Sequence, residues 1–232
     1  MRENEIQPRV IYEDNHLLVA FKPPGMLSQS DETGDVDLLT LSKQWLKQRY
    51  QKPGKVFLGL VHRLDRPASG LMVFARTSKA AARLSTQFRD RLVEKRYWAV
   101  VQGTLRGSGS MEDYLIKNGR LSSVVPAHVP RAKRAVLQWE ALEHQAETTL
   151  VDIRLQTGRA HQIRCQFASR NHPLVGDLRY GAERVWDGRN LALHAWLLAL
   201  DHPTRKERLL WREDAPAAWE EWYPEIRRRA CQ

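Results

Sequence analysis

Residues 56–77 read VFLGLVHRLDRPASGLMVFART. An apolar run leads into a polar segment with one acid, Asp65, among cations. Small residues follow, Ala68, Ser69 and Gly70, and then a second apolar run begins. Each run has the length and content of a buried strand, so the stretch predicts strand, turn and strand. It also raises the question of why a single carboxylate stands at the turn. A structural ion pair with a neighbouring arginine is one answer, and an active-site acid is the other.

The remaining elements fall on either side. VIYEDNHLLVAFKPPGM, residues 10–26, reads as two strands round a polar turn, closed by a Pro-Pro-Gly break. Leu38, Leu41, Trp45 and Arg49 recur at helical spacing after Asp35 and Asp37, either of which suits an N-cap. Residues 77–92 give the clearest helix. Thr77 or Ser78 caps it, Ala81, Leu84, Phe88 and Leu92 line one face, and Lys79, Arg83, Arg89 and Arg91 line the other. KRYWAVVQG from Lys95 is a strand, and GSGS at 107–110 is a loop. KRAVLQWEAL and ETTLVDIRLQ alternate like a hairpin pair, TGRAHQIRCQFASR is a turn entering a helix, and NLALHAWLLALDHP is a further strand of ambiguous period. Strands come in clusters rather than in strict alternation with helices. The fold class expected is therefore α+β with a mostly antiparallel sheet.

The chain has 232 residues, room for one large domain or two subdomains with an ample core. Lys and Arg number 37 against 27 Asp and Glu, a net charge of +10, which favours a polyanionic partner such as nucleic acid. Cys165 and Cys231 stand far apart, which disfavours a disulfide framework or a Cys-rich zinc site and suits a reducing, cytoplasmic setting. No apolar run is long enough to span a membrane. The histidines at 62, 161, 172, 194 and 202 are scattered, and no HExxH, P-loop or GxSxG motif occurs. The three arginines of the terminal EIRRRACQ suit a solvated end or an RNA contact.

Three segments place a charged or reactive group at the edge of an apolar element: HRLDRPASG, EKRYWAVVQG and TGRAHQIRCQF. In that order, and with NHPLVGDLRYG and LALHAWLLALDHP behind them, they resemble the motifs of the RluA-type pseudouridine synthases. The likeness runs from about residue 10 to about residue 205. It implies a single catalytic domain over 1–232, with a mixed, mostly antiparallel sheet in two abutting subdomains flanked by helices and a central RNA-binding cleft. It implies isomerisation of uridine to pseudouridine in rRNA or tRNA, with no cofactor and no metal. Asp65 is then the catalytic residue, Tyr97 stacks beneath the uracil, and Arg164 holds the carboxylate charged. At 4 Å and an effective dielectric of about 20, such a pair attracts by roughly 4 kcal/mol before desolvation. Arg63 is the candidate to fill the gap left by a flipped base, and His62, Arg159, His161 and Gln162 are the candidate RNA contacts.

Two departures stand out. Ala68 replaces a threonine common in the family, with little effect expected. The catalytic pattern begins almost at once, so no N-terminal S4-like domain is expected, and RNA affinity falls to the basic surface of the domain itself. A monomer is the expected state, since no dimer seam shows. The competing readings are a non-catalytic RNA-binding protein of the same fold and an RNA N-glycosidase. The second lacks the paired carboxylates that glycoside hydrolysis normally uses.

Overall fold

A computed structural model describes residues 6–188, 190–224 and 226. Cys231 and the three arginines at 227–229 lie outside the described residues. In chain order the elements are β1 (Arg9–Glu13), β2 (Leu17–Lys22), α1 (Leu38–Arg49), β3 (Gly59–Leu60), β4 (Ser69–Ala75), α2 (Ser78–Arg89), β5 (Glu94–Gln102), β6 (Ser108–Asn118), β7 (Leu121–Val125), β8 (Lys133–Gln145), β9 (Thr148–Leu155), α3 (Gln162–Ala168), β10 (Leu193–Asp201) and β11 (Arg208–Arg212). Short 3-10 turns occur at Leu178–Tyr180 and Ala217–Glu221. The fold is α+β, and the ladders β1–β2, β2–β4, β3–β4, β5–β9, β6–β7, β6–β8 and β8–β9 are all antiparallel. The chain divides into two compact units, 1–93 with 198–213 and 94–197 with 214–232.

In the first unit, β2 runs between β1 and β4, and β3 pairs with β4. All seven residues of β4 are buried, so its sequence is continuously apolar after Ser69 instead of alternating. Leu17, Val19, Leu71, Val73, Leu84, Leu198 and Leu200 form the core of this unit. Each such side chain contributes about 1.5–3 kcal/mol by leaving water. Helix α1 is capped by the Asp37 carboxylate, which accepts from Thr40 N, and α2 by the Thr77 hydroxyl, which accepts from Ala80 N.

Three expectations about elements need correction. The first apolar run of the opening stretch forms only the two-residue strand β3, because the ladder gives way to a side chain: Val73 N donates to His62 Nε2 at 3.0 Å. Helix α2 stops at Arg89, and Arg91 turns the chain with φ 62°. Leu92 therefore leaves the apolar face and is 54% exposed. The GSGS segment is not a loop beyond Gly107, for β6 begins at Ser108 and pairs with β8. Gly109 stands opposite Trp139, and a Cβ there would meet the indole nitrogen at 3.1 Å. The glycine serves that close approach, not a turn.

In the second unit the strand order is β5-β9-β8-β6-β7. The hairpin β8–β9 carries Leu137 opposite Leu155 and Trp139 opposite Ile153. Helix α3 follows β9 after a six-residue turn, and six of its seven residues are buried.

Candidate functional site

Asp65 lies between β3 and β4, in a segment without a ladder of its own. Backbone groups on both sides of it are held by residues 22–28 instead. The Ser28 hydroxyl donates to Leu64 O at 2.7 Å and accepts from Leu64 N at 3.1 Å. Gly25 N donates to Arg66 O at 2.9 Å, and Arg66 Nε donates back to Gly25 O at 3.0 Å. Ala68 N donates to Asp65 O at 3.1 Å and closes the turn. The result is a fixed backbone at 64 and 66 beneath a half-buried Asp65 side chain.

Lys22 completes this clamp. Its side chain is fully buried, and Nζ donates to Pro23 O, Met26 O and Arg66 O at 3.0, 2.8 and 3.0 Å. Burial pushes its ammonium down to about 7, while the Asp65 carboxylate acts in the opposite direction and Arg66 reinforces the fall. The three carbonyls take the place of the water an ammonium would otherwise bind. Of the other residues expected here, Arg63 is exposed. His62 is built into the fold, since Nε2 accepts from Val73 N and its ring stacks on Phe88 at 4.8 Å.

The second unit carries Tyr97, Arg159, His161, Gln162 and Arg164. On β5 the side chains alternate. Arg96 pairs with the buried Asp152, which also accepts from Trp196 Nε1 at 3.0 Å. Tyr97 belongs to the opposite face and is 7% exposed. Lys95 shares that face, and burial pushes its ammonium down.

The turn before α3 is organised by Gln162. Its Oε1 accepts from the Thr157 hydroxyl at 2.7 Å and from Arg159 N at 3.0 Å, and its Nε2 donates to Val136 O at 3.2 Å. Gln162 is thus a buried brace of the turn. Arg159 is half-buried, with Nε donating to Arg134 O at 2.9 Å. His161 stands in the left-handed region with φ 52°, and its Nδ1 shares a hydrogen bond with the Tyr180 hydroxyl at 3.0 Å. That hydroxyl also accepts from Ser122 N at 2.8 Å.

Arg164 is buried against a carboxylate that the sequence reading left without a role. Nε meets Asp177 Oδ2 at 2.6 Å and Nη2 meets Oδ1 at 2.8 Å, a two-pronged pair with the side chains 4% and 2% exposed. The pair occupies two of the five N–H donors of the guanidinium, which also lies over the Tyr180 ring at 5.0 Å. Gly176 sets the approach of Asp177. Its φ is +85°, and a Cβ there would stand 2.3 Å from Asn190 O. Only glycine suits the position.

The residues that sequence reasoning missed are therefore Lys22, Ser28, Asp177 and Tyr180. Asp177 and Tyr180 stood in NHPLVGDLRYG, where a conformationally special glycine precedes an acid. Lys22 stood before the Pro-Pro-Gly break, where an ammonium directly after an apolar strand was the available signal. Among the described residues no group of three or more His, Cys, Asp or Glu is placed to hold a metal ion, and no helix is long and apolar enough to cross a membrane.

Residues 16–169 match the family of RNA pseudouridylate synthases, and the chain belongs to that family. It is 35% identical over 217 residues to a ribosomal large subunit pseudouridine synthase D of Nitrosomonas europaea, covering 90% of this chain and 62% of the relative. It is 32% identical to one from Yersinia pestis, covering 91% and 68% respectively. A ribosomal large subunit pseudouridine synthase C of Vibrio vulnificus is 33% identical, with 88% of this chain and 64% of the relative covered. The chain thus spans about two thirds of the length of these relatives or somewhat less. Its fold is that of human RNA pseudouridylate synthase domain containing 4, with a TM-score of 0.78 at 23% identity and coverage of 94% and 93%. Human RNA pseudouridylate synthase domain containing 1 gives 0.70 at 24%, with coverage of 90% and 84%.

Proposed function

We propose that the protein isomerises uridine to pseudouridine within RNA, with Asp65 as the catalytic carboxylate. The observation that carries this reading is the clamp. Lys22, Gly25 and Ser28 fix the backbone on either side of one half-buried acid, inside the segment that matches the family. A surface ion pair has no need of such a frame.

In this reading the N1–C1′ bond of the nucleoside breaks and a C5–C1′ bond forms. The C5 hydrogen leaves as a proton and N1 gains one, so the reaction balances within the nucleoside. Asp65 opens it by attack on the sugar or base, or by drawing a proton from the sugar. Tyr97 is proposed to act by stacking on the base and Arg164 by its charge. Asp177 and Tyr180 fix the Arg164 guanidinium, so Arg164 is a positioned cation rather than a mobile one. Extrusion of the base costs a few kcal/mol, and Arg63, exposed two residues before Asp65, is the group to occupy the gap. Of the remaining residues expected to touch RNA, half-buried Arg159 suits a phosphate through its outer guanidinium nitrogens, whereas His62, His161 and Gln162 support the site from within their own turns.

The substrate we propose is RNA of the large ribosomal subunit, after the names of the relatives, and the setting a monomer in the cytoplasm without bound metal. Mapping pseudouridine in total RNA from cells with and without the gene tests the reading. Loss of one or a few large-subunit sites supports it. A loss confined to tRNA moves the substrate to tRNA, and an unchanged map refutes the assignment. A non-catalytic RNA-binding role would leave the map unchanged while the purified protein still bound RNA.

A further inference from the structure

Residues 28–36 form a small closed loop beside the clamp. Its neck is a parallel bridge between Leu27 and Asp37, with Leu38 N donating to Leu27 O at 2.9 Å. Residues 29–36 are all exposed, and they hold three acids, Asp31, Glu32 and Asp35, with no lysine or arginine. Such a loop is unexpected in a chain of net charge +10 that is read as an RNA enzyme.

One of those acids has a particular target. Asp35 Oδ2 meets Arg66 Nη2 at 2.8 Å, with side chains 49% and 47% exposed. Arg66 directly follows Asp65, and its guanidinium is oriented independently of Asp35, because Nε is anchored on Gly25 O. Asp35 therefore takes only an outward edge of a plane that the clamp already holds. The oxygens of a phosphodiester carry the same charge and take the same edge of a guanidinium. An exposed pair between long side chains holds weakly and is screened by salt, so exchange of one anion for the other costs little.

We propose that Arg66 is a phosphodiester-binding residue, whose outward edge Asp35 occupies in the free protein and yields to an RNA phosphate. The proposal rests on the RNA reading above and adds to it a phosphate contact one residue from the catalytic acid, together with an internal counterion that lowers affinity for RNA. Asp31 does not share this role, since its carboxylate is turned onto Thr33 N and the Thr33 hydroxyl at 2.9 and 2.6 Å.

The test is a double-mutant cycle on the full chain. A fluorescein-labelled RNA hairpin with a uridine-rich loop is the probe, and Kd is read by anisotropy between roughly 50 and 200 mM salt. Arg66→Ala is expected to weaken binding and to flatten the slope of log K against log salt by about 0.7–0.9, the share of one phosphate. Arg66→Lys is expected to keep the slope. Asp35→Asn is expected to tighten binding by up to about fivefold in the wild-type background and, in Arg66→Ala, to keep only the small general-charge effect that Glu32→Gln shows. Glu32→Gln is expected to act equally in both backgrounds, as a change of general charge does. The proposal is overturned if Asp35→Asn acts equally in both, or if Arg66→Ala, folded by its thermal transition, keeps the wild-type slope. A wild-type protein that forms pseudouridine while the cycle is additive refutes this inference alone. A wild-type protein that binds no RNA refutes the functional reading as well.

Discussion

Replacing Ser28 by alanine removes a single oxygen and tests the clamp at its simplest point. That oxygen makes two hydrogen bonds, both to the backbone of Leu64, which directly precedes Asp65. Ser28 and Leu64 are 6% and 8% exposed, so water does not readily replace the hydroxyl. Each bond contributes about 1 kcal/mol net, and the cost grows where a buried N–H or C=O is left unpaired. The variant should therefore lose about 2–3 kcal/mol, a fall in Tm of roughly 4–12 °C for a chain of this size. Release of Leu64 also frees the backbone that aims Asp65. Turnover at saturating RNA should fall at least tenfold, a loss of about 1.4 kcal/mol in transition-state stabilisation, while KM changes little. The assays are thermal unfolding and tritium release from RNA labelled at uridine C5. Ser28→Thr, which keeps the hydroxyl, should recover most of both. Wild-type Tm and wild-type turnover in Ser28→Ala would refute the reasoning, because the clamp would then hold nothing that matters.

Other substitutions separate stability from chemistry. Lys22→Met removes three bonds from a fully buried ammonium but also removes the cost of burying it. The carbonyls of Pro23 and Met26 lose their Lys22 donor, so Tm should fall by an amount similar to Ser28→Ala, and turnover per folded molecule should drop; unchanged turnover contradicts a positioning role. Asp177→Asn leaves Arg164 buried beside a neutral partner and should cost about 3–5 kcal/mol, read as a lowered urea midpoint together with lost activity. A variant with the parent's midpoint would show that the pair is dispensable. Asp14 supplies a pH test. Burial alone would raise its carboxyl, but hydrogen bonds from His16 N, Leu17 N, the Tyr12 hydroxyl and His202 bring it down to about 2. Its contribution to stability is complete above about pH 4 and is lost as pH falls through 2. Asp14→Asn should therefore flatten the acid limb of the stability curve, and an identical limb in both proteins would rule this out.

The elements that were legible in the sequence are those whose signals are local. Asp37 and Thr77 cap their helices through contacts three residues away, and the alternation of residues 133–155 gives the β8–β9 hairpin. The family was legible because the wording and order of the three segments around residues 65, 97 and 164 carry information that no single residue carries. What escaped depends on distant partners. Lys22 finds its anchor on Arg66, 44 residues on, and Ser28 reaches Leu64 over 36. Gly109 reads as a turn until Trp139 is seen across the ladder. The acid beneath Arg164 is only 13 residues away, yet a turn and a left-handed glycine are needed to bring it back. Leu92 fits the helical period, but the chain departs from the helix at Asp90 and Arg91, and periodicity cannot register that exit.

The most direct measurement is tritium release by Asp65→Asn beside the wild-type protein, on large-subunit rRNA transcribed with uridine labelled at C5. The account requires that the wild type liberate tritium as its C5–C1′ bonds form, and that the variant keep its thermal transition and its RNA affinity while releasing none. Release by the variant at the wild-type rate, or free uracil as the wild-type product, would contradict it.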